Sequence, residues 1–256
     1  MALALAALLG LGCARGGSLP TAPVRVAAAA DLTDAFTALG PGFEAASGQK
    51  VTFTFGSTGL LAKQLREGAP FDVFAAANVS FVDEVVKAGA CDGATRAPYA
   101  RGRVAVWTRR DGAAPPRRLE ELTDARFKRI AIANPEHAPY GQAARDALRQ
   151  AGVWDEVAPR LVFGENVRQT LQLAETGNAE AAIVALALVV NDREHPWLLV
   201  DEALHPPIDQ ALVVCTRGAN RAGGEAFAAF VASDAGRATM RRFGFLLPGE
   251  ALERRP

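Results

Sequence analysis

The sequence is poor in the residues that metal and redox chemistry use. It has three cysteines and three histidines in 256 residues. They form no CxxC, no mixed Cys/His cluster and no HExxH, which excludes zinc ribbons, thioredoxin-like redox motifs and zincin proteases. Neither charge is in excess. With 28 basic and 28 acidic side chains, there is no electrostatic footprint for DNA, RNA or an anionic membrane. No GxxxxGK[ST] occurs, and no GxGxxG sits at a strand-to-helix turn, so nucleotide-phosphate loops are excluded. The stretch "GSTG" places Ser57 one position away from a GxSxG hydrolase elbow. His137, His195 and His205 lie in proline-containing loops, and no nucleophile–base pair is visible. No apolar run approaches the ~20 residues of a membrane span.

The N-terminal segment "MALALAALLGLGCARGGSLPTAP" has an apolar run from Ala2 to Gly12 followed by a Gly/Ser/Pro linker. Its length suits the apolar part of an export signal, so residues 1–23 are read as signal and linker and the protein as periplasmic or extracytoplasmic. Cys13 follows Leu-Gly, which resembles a lipoprotein processing site; the other reading is a signal residue that is discarded. Cys91 and Cys215 remain in the body. Export permits a disulfide between them, but at this separation two buried thiols are the expectation.

Half of the residues are apolar, enough for one large domain or two lobes. "VRVAAAA" (24–30), "VTFTF" (51–55), "FDVFAAA" (71–77), "GRVAVWT" (102–108), "RIAIA" (129–133), "RLVF" (160–163), "EAAIVALALVV" (180–190) and "ALVVCT" (211–216) read as strands. Helical patterns fill most of the intervals, as in 31–47, 78–89 and 141–150, and two close the chain. This alternation predicts an α/β architecture with mostly parallel sheets, divided at the strands near residues 104 and 212. In such sheets, ligands sit beyond the carboxyl ends of strands.

Four strand-to-helix junctions carry hydrogen-bond donors: Ala30 with Asp31, Ser57 with Thr58, Pro139–Tyr140–Gly141, and Asn166 before Val167 and Arg168. Each alone reads as a routine helix cap. Together, two in each half of the chain, they form a pattern suited to holding an anion on helix N-termini.

The segments "VAAAADLTDAF", "FGSTGLLAKQLREGAPFDVFAAA", "NPEHAPYGQAARDAL", "ENVRQTL" and "EAAIVAL" together resemble the periplasmic molybdate-binding proteins of ABC transporters, over roughly residues 24–250. The resemblance implies a two-lobed periplasmic-binding-protein fold with the ligand in the inter-lobe cleft. Residues 24–104 with 211–256 would form lobe 1, and 105–210 lobe 2. It further implies a monomer without cofactor or enzymatic activity, which delivers molybdate, and tungstate with it, to a membrane permease. Carried over by position, the oxyanion ligands are Asp31 with Ala30 beside it, Thr58 with Ser57 adjacent, Tyr140, and the Val167 N–H. Ala185 stands where some members have a further tyrosine, so Tyr140 is expected to supply the phenol. These groups hydrogen-bond to oxyanion oxygens, and none ligates the metal atom. The alternatives are a receptor for sulfate or phosphate, or the effector-sensing domain of a regulator. Asp31 is the misfit beside a dianion. Its position before Leu32, Phe36 and Leu39 predicts a helix cap, with the carboxylate on the N–H of Thr33 or Asp34 and turned from the cleft; the other reading makes it a cleft acceptor.

Overall fold

Apolar runs and amphipathic segments alternate, and the computed structural model, which describes residues 22–250, turns that alternation into two five-stranded sheets flanked by helices. The apolar run expected to be an export signal, with Cys13, lies outside the described residues. The first lobe is built from β1 (Val24–Ala29), α1 (Thr33–Ser47), β2 (Val51–Gly56), α2 (Thr58–Arg66), β3 (Val73–Ala76), α3 (Val79–Lys87) and β4 (Ala97–Gly102). Only Arg103 separates β4 from β5 (Val104–Thr108), which opens the second lobe. There follow β6 (Ile130–Ala133), α4 (Pro139–Gln150), the short α5 (Trp154–Val157), β7 (Leu161–Gly164), α6 (Val167–Glu175), β8 (Ala181–Ala185) and β9 (Trp197–Leu199). The chain then returns to the first lobe with β10 (Ile208–Val214), α7 (Arg221–Ala232) and α8 (Asp234–Arg242).

The two sheets share one plan, in the orders β2-β1-β3-β10-β4 and β7-β6-β8-β5-β9. In the first, β1 is parallel to β2 and β3, while β10 runs antiparallel to β3 and β4. In the second, β6 is parallel to β7 and β8, while β5 runs antiparallel to β8 and β9. The one reversed strand in each lobe is the strand by which the chain enters it. The sheets change hands between Gly102 and Val104 and again between Leu199 and Ile208. Val104 therefore sits in the second sheet and residues 208–210 in the first, opposite to the division expected from the sequence.

Helices pack as their spacing dictates. Phe36, Leu39 and Phe43 lie on one face of α1 and are buried, where Phe36 and Phe43 meet Phe227 of α7 edge-on. The first turn of α4 lies so close to β6 that a Cβ at Gly141 would overlap the carbonyl oxygen of Ala133. Alanine in a helix interior is ordinarily more stable than glycine by ~1 kcal/mol. Here the sign is expected to reverse: Gly141→Ala should cost about 1–3 kcal/mol by forcing α4 off the sheet. A denaturant midpoint equal to or above that of the unchanged protein would refute the close approach.

Three sequence expectations change. The apolar run 180–190 is a strand only to Ala185, because the Leu186 N–H donates to the Arg103 carbonyl at 2.8 Å and the chain turns. The edge strands β4 and β9 carry no clear sequence signal: β9 has three residues, and β4, APYARG, combines a proline with an arginine. Cys91 and Cys215, 124 residues apart, are joined by a disulfide rather than left as thiols, because β10 brings Cys215 into a bridge pairing with Cys91.

Candidate oxyanion site

The carboxyl ends of β1, β2 and β6 and the turn before α6 face one another across the gap between the lobes. They form a small, tight cavity of about 10 Å³ lined by Ala30, Asp31, Ser57, Thr58, Tyr140 and Val167, together with Ala29, Gly56, Ala77, Ala138, Pro139 and Asn166. Six residues chosen from the sequence thus meet at one place. Ala185 does not: it is fully buried at the end of β8, paired with Val104. No lysine or arginine lines the cavity.

The first turns of the helices present their N–H groups here, and most already have partners. The Asn166 side chain accepts from the N–H groups of Arg168 and Gln169, both at 3.0 Å. Ala138 O takes those of Gly141 and Gln142 at 2.9 and 3.1 Å, and His137 O takes that of Gly59 at 3.0 Å. The N–H groups of Thr58, Tyr140 and Val167, in the first or second helical position, have no acceptor among the described residues, and none is available within a helix there. Thr58, 1% exposed, accepts a long 3.4 Å bond from the Ala77 N–H, which leaves its own hydroxyl hydrogen to be donated. Hydroxyl, three N–H groups and three helix N-termini together give the pocket a set of neutral donors with partial positive charge.

Ser57 does something else. It begins α2 without capping it, since its hydroxyl donates to the His137 carbonyl at 2.7 Å and lies 2.8 Å from His137 Nδ1. A carbonyl oxygen can only accept, so the single hydroxyl hydrogen goes there and Nδ1 must carry its own. The pair is therefore not a nucleophile with its base. It is a contact between lobes, seconded by the Gly59 N–H on the same carbonyl, and His137 is half-buried in it rather than a solvated loop residue.

Asp31 departs furthest from expectation. It caps no helix: the residue before α1 is Leu32, and no side chain bonds to that turn. Its carboxylate is completely buried, with Oδ2 accepting from Tyr140 Oη at 3.0 Å and from Gln210 Nε2 at 2.6 Å. Gln210 Nε2 also donates to Tyr140 Oη at 3.2 Å, and Tyr99 Oη donates to Gln210 Oε1 at 2.8 Å. Of the two tyrosines of the chain, Tyr140 thus reaches the carboxylate directly and Tyr99 through Gln210. The Tyr140 phenol is committed to Asp31, which leaves that residue's main chain for a ligand. A Cβ at Gly102 would overlap the Tyr140 hydroxyl, so the bare backbone at the crossover makes room for the network. Oδ1 of Asp31 has no partner among the described residues. Burial pushes its carboxyl from 3.8 up to about 6, against the bonds from Gln210 and Tyr140 and the N–H groups of Asp31 and Leu32. Burial, with the Asp31 charge second, holds both tyrosines well above their usual range.

The sequence model of the bacterial extracellular solute-binding proteins matches residues 24–246. The chain belongs to that family. It is 31% identical over 250 residues to the molybdate-binding protein ModA of Rhodobacter capsulatus, covering 96% of this chain and 95% of that protein. It is 32% identical over 228 residues to ModA of Azotobacter vinelandii, covering 88% and 90%. The solved periplasmic molybdate-binding protein of Azotobacter vinelandii superposes with a TM-score of 0.83 at 25% identity, over 88% of this chain and 99% of the other. The two five-stranded sheets of this solute-binding protein are thus the two lobes of the periplasmic-binding-protein fold, with the cavity between them.

Proposed function

We propose that this solute-binding protein captures molybdate, and tungstate with it, and delivers it as a monomer to the membrane permease of an ABC transporter, without catalysing a reaction. The observation that carries the reading is the convergence of unpartnered N–H groups and the Thr58 hydroxyl on one small inter-lobe cavity with no basic side chain in its lining. Molybdate is a bare dianion that only accepts hydrogen bonds, and donors of this kind contribute roughly 1.5–3 kcal/mol each to a charged acceptor. The relatives with these lobes carry the name molybdate-binding. The unpartnered Oδ1 of Asp31 favours a second reading, hydrogen phosphate, whose proton would need an acceptor.

Titration of the purified protein with molybdate, tungstate, sulfate and phosphate tests both. A ligand that binds only the closed native form stabilises it by about 2.7 kcal/mol at a hundredfold excess over Kd. For a chain of this size that is about 5–10 °C in Tm. Molybdate is expected to give that rise at neutral pH, and a midpoint unmoved by saturating molybdate would end the leading reading.

A further inference from the structure

Asp31 lines a cavity otherwise built from neutral donors, and a bare dianion there would lie beside a carboxylate that no cation neutralises. The groups that favour its charged form are Gln210, Tyr140 and the N–H groups of Asp31 and Leu32. α4 brings Tyr140 and β10 brings Gln210 to the carboxyl, and Tyr99 of β4 stands behind Gln210. α1 adds Asp34, itself raised by burial, and α6 adds Arg168, whose charge acts on Asp34. β2 and the turn 186–188 bring no titratable side chain.

We infer that the cleft binds its oxyanion together with one proton, which lies between Asp31 Oδ1 and a ligand oxygen. The inference rests on the oxyanion reading of this cavity. The proton satisfies Oδ1, a buried oxygen of a cavity-lining residue that lacks a partner among the described residues, and turns a repulsion into a donated hydrogen bond. A fully deprotonated anion such as molybdate or sulfate takes that proton from solvent, through Asp31. Hydrogen phosphate brings its own. The pH range follows from Asp31 losing its proton near pH 6 in the unliganded protein. Above that, each pH unit should weaken binding of a deprotonated anion about tenfold, since one proton is bound with it.

The test is calorimetry of the full protein with sodium molybdate at pH 8, in buffers of different ionisation enthalpy, with Kd measured from pH 6.5 to 8.5. The expected result is uptake of about one proton per anion and a Kd that rises about tenfold per unit. Asp31→Asn should bind without proton uptake, with a Kd independent of pH and about 10- to 100-fold tighter than the unchanged protein at pH 8. Molybdate bound with no proton uptake and a flat Kd would overturn the inference while leaving the proposed function standing. Proton uptake that persists in Asp31→Asn would overturn it as well, by assigning the proton to another group. If none of molybdate, sulfate or phosphate produces heat or moves Tm, the oxyanion reading itself fails, and the inference with it.

Discussion

Thr58→Val is expected to weaken molybdate binding by about 10- to 100-fold, the loss of one hydrogen bond to a charged acceptor. The hydroxyl is buried and accepts only the long bond from Ala77, so its hydrogen has no other protein claim on it. Valine preserves the shape while removing the donor, and α2 keeps its N-terminus because Thr58 does not cap it. Lys63 lies further along the same helix and supplies the contrast. Its side chain is 63% exposed and pairs loosely with Glu67 at 3.8 Å, a contact worth little in water. Lys63→Ala should therefore leave Kd within about twofold, on the small scale of exposed ion pairs. Comparable losses from both substitutions, read by calorimetry, would replace a set of positioned donors with a diffuse positive patch.

The place of Thr58 in the cavity lining is legible in the sequence because it is local: a strand ends, a helix begins, and the residue at the junction has a hydroxyl. The same holds for Ala30, Tyr140 and Val167, each within a few residues of a strand-to-helix boundary. What sequence reasoning missed is what two distant segments make together. Gln210 lies 179 residues from Asp31 and Tyr99 lies 111 from Gln210. No spacing rule reaches that far. A polar residue inside the apolar run of β10 was the available signal, but the strand was begun one residue too late to include it. The sequence places His137 only in a proline-containing loop, because its partner, Ser57, is 80 residues away. Asp31 shows the same limit in reverse. Its local pattern fits a helix cap, yet two donors from elsewhere in the fold take the carboxylate. The fold itself was more readable than the site, since alternation of strand and helix is repeated in both lobes. The run 180–190 was overextended because a fully buried strand has no polar side to mark its end.

Asp31→Asn is also expected to stabilise the unliganded protein, and to do so only on the alkaline side. Folding raises the Asp31 carboxyl from 3.8 to about 6. Between those values the unfolded chain has lost this proton while the native state keeps it, so the native state binds more protons and stability falls as pH rises. Above about pH 6 both states are ionised and the cost is constant. Two pKa units at 1.36 kcal/mol each put it on the order of 3 kcal/mol. Asparagine keeps a carbonyl oxygen for Tyr140 and Gln210 and carries no charge, so it should recover much of that cost. The expected difference is about 5–10 °C in Tm at pH 7.5, shrinking towards nothing near pH 4, where the native carboxyl is already neutral. Thermal melts of both proteins across that range decide it. A variant less stable than its parent at pH 7.5 would mean that Gln210 and Tyr140 hold the charged form at a net gain. The expected outcome leaves a buried carboxylate that weakens the empty protein at neutral pH, in a wall of the ligand cavity, where a proton carried in with the anion removes that cost on binding.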